Sequence, residues 1–117
     1  MTRVQHVNVV VPFGATEECV AFYVDVLGMR RIEKPKVLDP RGAWLDVDGV
    51  VQVHLSEREG STHPDSHFAV VVDDFAGVLA MLEERGMEWT EQEDVFGGRR
   101  GFTRDPAGNR VEILETA

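Results

Sequence analysis

"SHFAVVVDDFAGVLAMLEERGM", residues 66–87, contains two different periods back to back. Phe68, Val70 and Val72 alternate with His67, Ala69 and Val71, the period of a strand with one covered face. Asp74 then stands where a helix N-cap belongs. Phe75, Val78, Leu79 and Leu82 recur at helical spacing as far as Gly86, a residue type favoured just past a helix end. The same order of signals occurs earlier in the chain. "QHVNVVVP" (5–12) sets Val7, Val9 and Val11 on one face of a strand and His6, Asn8 and Val10 on the other. "ATEECVAFYVDVLGM" (15–29) repeats Val20, Tyr23, Val24 and Leu27 up to Gly28, with Thr16 as the expected N-cap.

Three short extended stretches follow each helix. The first half has 30–35, 42–47 and 50–57, with "DG" (48–49) as a hairpin signal. The second half has 88–93, 99–104 and 109–115, with "DPAG" (105–108) as the turn. The chain therefore reads as βαβββ written twice, with matching features 58 to 61 residues apart. A module of this size cannot cover both its sheet face and its helix alone. The expectation is an α+β fold, one domain over 1–117, built from module 1 (1–60) and module 2 (64–117).

Composition narrows the function classes. The 117 residues are 43% hydrophobic and 28% charged, in the range of a soluble globular domain. A net charge of −9 argues against nucleic acid and anionic membranes as partners. No apolar run approaches the roughly 20 residues of a membrane helix. The single cysteine, Cys19, permits no internal disulfide, and nothing near Met1 reads as a signal segment. A cytoplasmic protein is expected, with a small-molecule substrate.

Strand alternation then singles out four metal-ligand types. His6, His54, His67 and Glu112 all fall on the sheet face that the helices leave uncovered. They also obey the repeat: His6 matches His67 at the head of a module's first strand, and His54 matches Glu112 in its last. On the same face, Arg100 and Phe102 are candidate substrate contacts, Arg100 because a guanidinium takes a carboxylate or phosphate bidentately. Asn8 and Trp44 are further candidates for lining the site. Glu57 to Glu59 read as solvated surface, and Phe22 and Tyr23 as helix packing.

"HVNVVVP", "AFYVDVLGM", "VQVHLSE", "HFAVVVDD" and "DPAGNRVEILE" together resemble the vicinal oxygen chelate superfamily, the glyoxalase/bleomycin-resistance/dioxygenase fold. The resemblance implies paired modules whose curled mixed sheets form a cavity for a divalent metal (Zn, Ni, Co, Fe or Mn). It places His6, His67 and Glu112 on the family's ligand positions. His54 departs from it, because the glyoxalase I group has a glutamate there. A His₃Glu set is still a workable N₃O site. Without His54, the remaining three form a 2-His-1-carboxylate triad of the kind used by Fe(II) oxygenases. Glu112, the one carboxylate, is the candidate general base. Three functions stay open: a metal-dependent lyase or isomerase, an Fe(II) dioxygenase, and a drug-binding protein of the bleomycin-resistance type. The resemblance also implies a homodimer.

Overall fold

The computed structural model describes residues 1–116. They form two compact units, 1–62 and 63–116, whose boundary falls in the polar loop after the first set of strands.

The first unit runs β1 (His6–Val11), α1 (Thr16–Ala21), a π-helical turn (Phe22–Val26), β2 (Arg30–Ile32), β3 (Ala43–Asp46) and β4 (Gln52–Glu57). Its sheet has the order β1-β4-β3-β2. β1 lies parallel to β4, and the other two pairs are antiparallel. The valine alternation does what it predicts: Val9, Val11, Val53 and Leu55 are buried, while His6 and Asn8 stay exposed. Fully burying an apolar side chain of this size contributes about 1.5–3 kcal/mol.

The second unit repeats the plan with β5 (His67–Val71), α2 (Phe75–Glu84), β6 (Thr90–Gln92), β7 (Arg100–Arg104) and β8 (Arg110–Leu114). Its sheet order is β5-β8-β7-β6, again with one parallel and two antiparallel pairs. Val111 and Ile113 are fully buried, as is Leu82 from α2, and Phe75 and Val78 are buried beside it. Asp74 caps α2 through its carboxylate, which accepts from the Gly77 N–H at 3.0 Å. Among the described residues, no helix is long and apolar enough to cross a membrane.

Two expectations for the first helix need correction. Thr16 is not its N-cap; that position belongs to Ala15, which makes no side-chain cap bond. The Thr16 hydroxyl instead donates to Glu57 Oε2 at 2.6 Å. The buried stripe also differs from Val20, Tyr23, Val24 and Leu27. Val26 (2% exposed) takes the inward position that α-periodicity gives to Val24 and Leu27. The π turn is the reason, since one additional residue in the turn rotates everything after it. The closing bonds show the same shift. Gly28 N–H donates to Val24 and Met29 N–H to Tyr23, whereas the matching Gly86 and Met87 donate to Glu83 and Leu82, one residue nearer in each case.

Glu57 is likewise not surface. It shares the inward face of β4 with Val53 and Leu55 and is 8% exposed. Thr16 and the Gly14 N–H hydrogen-bond its two oxygens. The Thr16 hydroxyl is the larger cause of a carboxyl pKa held below its ordinary 4.5; the Gly14 N–H adds to it. A depressed carboxyl pKa stabilises the folded state above the unfolded value, and that contribution is lost as pH falls through the folded one. Thr16→Val is therefore expected to lower the denaturant midpoint at pH 7, with the gap to wild type narrowing below about pH 4.5. Urea titrations at pH 7 and pH 3.5 check this, and a gap that widens in acid would contradict it.

Candidate active site

In the first unit, the open face of the sheet gathers aromatic rings around His54. Trp44 is its direct cross-strand partner on β3, and Asn8 its partner on β1. The His54 ring lies 4.1 Å from Trp44 and 4.0 Å from His6, stacked on both. His54 is 8% exposed, and burial, followed by the charges of His6 and Lys34, pushes its pKa below 6.5. The neutral imidazole is the form that ligates a metal. His54 Nε2 lies 2.8 Å from Gln52 Oε1, an acceptor, so Nε2 carries the proton and Nδ1 the lone pair. Asn8 spends its Oδ1 on the Ser56 hydroxyl at 2.6 Å.

In the second unit, His67 and Glu112 sit on adjacent strands. His67 Nδ1 donates to the Asp65 carbonyl at 2.9 Å, which turns Nε2 the other way. That nitrogen faces Glu112 Oε1 at 3.1 Å. A neutral imidazole nitrogen and a carboxylate are both acceptors, so the contact calls for a proton or a cation between them. His6 has the same tautomer for the same kind of reason: its Nδ1 meets Gln5 Oε1 at 2.5 Å, leaving Nε2 free to ligate. A second bond that fixes the ring is the usual support of a metal-bound histidine.

Glu112 is 6% exposed, and its other oxygen, Oε2, accepts from Arg100 Nη1 at 3.1 Å. Arg100 also donates from Nε to the Glu93 carbonyl at 2.7 Å. The expected substrate anchor is thus largely engaged within its own unit. Phe102, the cross-strand partner of Glu112, stands edge-on to His67 at 5.0 Å. Within neither unit do three or more His, Cys, Asp or Glu side chains gather into a metal-binding group among the described residues. The four expected ligands fall into two pairs, His6 with His54 and His67 with Glu112. Imidazole and carboxylate are donor types that suit a borderline divalent ion.

Sequence reasoning passed over Arg110. It occupies the open face two residues before Glu112, and its guanidinium carbon lies 3.5 Å from the Phe102 ring centroid. Strand parity placed it there, but only the β7–β8 register reveals the stacking partner.

A family model for the Glyoxalase/Bleomycin resistance protein/Dioxygenase superfamily matches residues 3–113. The chain belongs to this superfamily. Glyoxylase I 4 of Arabidopsis thaliana is 28% identical over 125 residues, covering 97% of this chain and 70% of that protein. The crystal structure of a glyoxalase family protein from Bacillus anthracis superposes with a TM-score of 0.86 at 29% identity, covering 100% of this chain and 97% of that one. TnmS3, an antibiotic binding protein from Streptomyces sp. CB03234, shares the fold with a TM-score of 0.76 at 21% identity, covering 100% and 98%. Superfamily membership spans catalysts and binders alike, so the fold leaves the reaction to the site.

Proposed function

We propose that this superfamily member is a metal-dependent, glyoxalase-like lyase or isomerase acting on a small substrate with two adjacent oxygens. Its ligands would be His6, His54, His67 and Glu112, as two pairs drawn from one chain or from two chains of a homodimer. The observation that carries the reading is the His67–Glu112 contact, in which a ring oriented by the Asp65 carbonyl turns its Nε2 toward a carboxylate. A divalent ion bound there supplies Lewis acidity to the substrate oxygens. Glu112 then takes the proton from the carbon beside the carbonyl. Arg100 holds Oε2, so Oε1, the oxygen that faces His67, would have to leave the ion to take the proton.

The test is a titration of metal-free protein with Zn²⁺, Ni²⁺ and Co²⁺, in a Trp89→Phe background so that Trp44 is the sole indole. Because Trp44 stacks on His54, its emission should change as His54 ligates. Uptake should reach one ion per chain, and His67→Ala should weaken it by at least about tenfold. Absence of uptake overturns the reading. Uptake of iron with oxygen consumption moves the protein to the dioxygenases. One observation favours a binding protein instead: Arg100 already neutralises Glu112 without any ion. Tight ligand binding by metal-free protein that survives His67→Ala would establish that alternative.

A further inference from the structure

The open face of the second sheet carries three arginines, and two are committed. Arg100 is held by Glu112 and the Glu93 carbonyl. Arg104 donates from Nη1 to the carbonyls of Pro64 and Gly108, at 3.3 and 3.0 Å, and from Nη2 to Pro64 at 3.3 Å. Arg110 differs. It lies against the ring of Phe102, an arrangement that limits its motion and presents its N–H edge sideways. Its one ion pair among the described residues, Nη1 to Asp65 Oδ1 at 3.5 Å, is long, and the Asp65 side chain is 77% exposed. An ion pair that exposed adds little, so a ligand can displace it.

Arg110 and Phe102 line an open cleft of about 220 Å³ with Thr90, Gln92 and Asp65. That volume suits a ligand of a few carbon atoms. Along β8, Arg110 stands two residues from Glu112, roughly 7 Å. Asp65 and Glu88 border the cleft together with Arg104 and Arg110, so its charges balance and no surplus of cations favours a dianion over a monoanion.

We propose that Arg110 is the specificity-determining residue of this site. Its guanidinium fork takes the carboxylate of a small acid whose two adjacent oxygens lie two or three carbons away, at His67 and Glu112. The placing of those oxygens rests on the metal-dependent reading above; the carboxylate contact does not.

Two arms keep these claims apart. In the first, metal-free protein with ¹⁵N-labelled arginine is titrated with propionate at low ionic strength. The Arg110 Nε resonance should shift saturably in the millimolar range. Arg110→Gln should weaken binding at least tenfold, and Phe102→Leu, which keeps the charge but removes the platform, should weaken it partly. Binding that survives Arg110→Gln, or that is lost only with Arg100→Gln, overturns the proposal. Tighter binding of methyl phosphate than of propionate overturns the carboxylate assignment. In the second arm, zinc-loaded protein is compared with acetohydroxamate and succinohydroxamate, which differ by a carboxylate tail. The tail should improve affinity at least tenfold in wild type and not at all in Arg110→Gln. If neither hydroxamate binds while propionate behaves as stated, the metal reading fails and Arg110 stands. If both bind equally in wild type, the Arg110 proposal fails and the metal reading stands.

Discussion

Replacing Glu112 by glutamine is expected to lower turnover by about 100- to 10,000-fold, the usual contribution of a positioned general base. The substitution is nearly isosteric, and its amide oxygen can still accept from Arg100, so the half-buried guanidinium keeps a partner. The amide cannot take a proton at neutral pH, and it ligates a divalent ion more weakly than a carboxylate. Two measurements together decide the role. Loss of turnover with metal still bound in part makes Glu112 the base, its ligand role being shared with three imidazoles. Loss of both in proportion makes it a ligand alone. Full activity removes it from the chemistry altogether.

A second large effect is expected far from any titratable group. Gly42 immediately precedes β3 with φ of +83°, and a Cβ there would lie 2.1 Å from the Leu55 carbonyl oxygen. That oxygen belongs to β4 backbone at the point where Ala43 pairs with Leu55. It cannot retreat without opening the ladder that carries His54. Gly42→Ala should therefore cost the 1–2 kcal/mol of left-handed strain plus a clash, about 3 kcal/mol or more in total. For a domain of this size, that lowers Tm by roughly 10 °C. Gly49→Ala is the control: its φ is +86°, yet a Cβ there meets nothing within 4 Å, so strain alone acts. Equal losses in the two variants would show that the close approach at Gly42 is not felt.

The strand-and-helix plan was legible because it rests on local periods. A valine every second residue in 7–11 and an apolar stripe in 75–82 each point to one face, whatever the rest of the chain does. What escaped was decided by distant partners. Thr16 has the chemistry of a cap, but its hydroxyl binds Glu57, 41 residues away in sequence. Glu57 sits among polar residues, and that composition outweighed its parity with Val53 and Leu55, which pointed inward. The four candidate ligands were legible as types on a face. The ring orientations that would suit them to a metal, such as that set by the Asp65 carbonyl on His67, depend on loop backbone that no pattern specifies. The Arg110–Phe102 stack needed the β7–β8 register, which is a tertiary fact.

The π-helical turn at Phe22–Val26 keeps the two halves in phase. Before it, the helix-start positions of the two halves, Ala15 and Asp74, are 59 residues apart. After it, Gly28 and Gly86, Trp44 and Phe102, and His54 and Glu112 all stand 58 apart. The offset between the two halves thus changes by one residue across the helix, which takes up the difference as a local bulge. An indel inside a strand would have turned every later side chain to the opposite face. Placed in a helix that could swallow it, the change left the strands downstream in phase, and His54 still occupies the place that Glu112 holds in the other half.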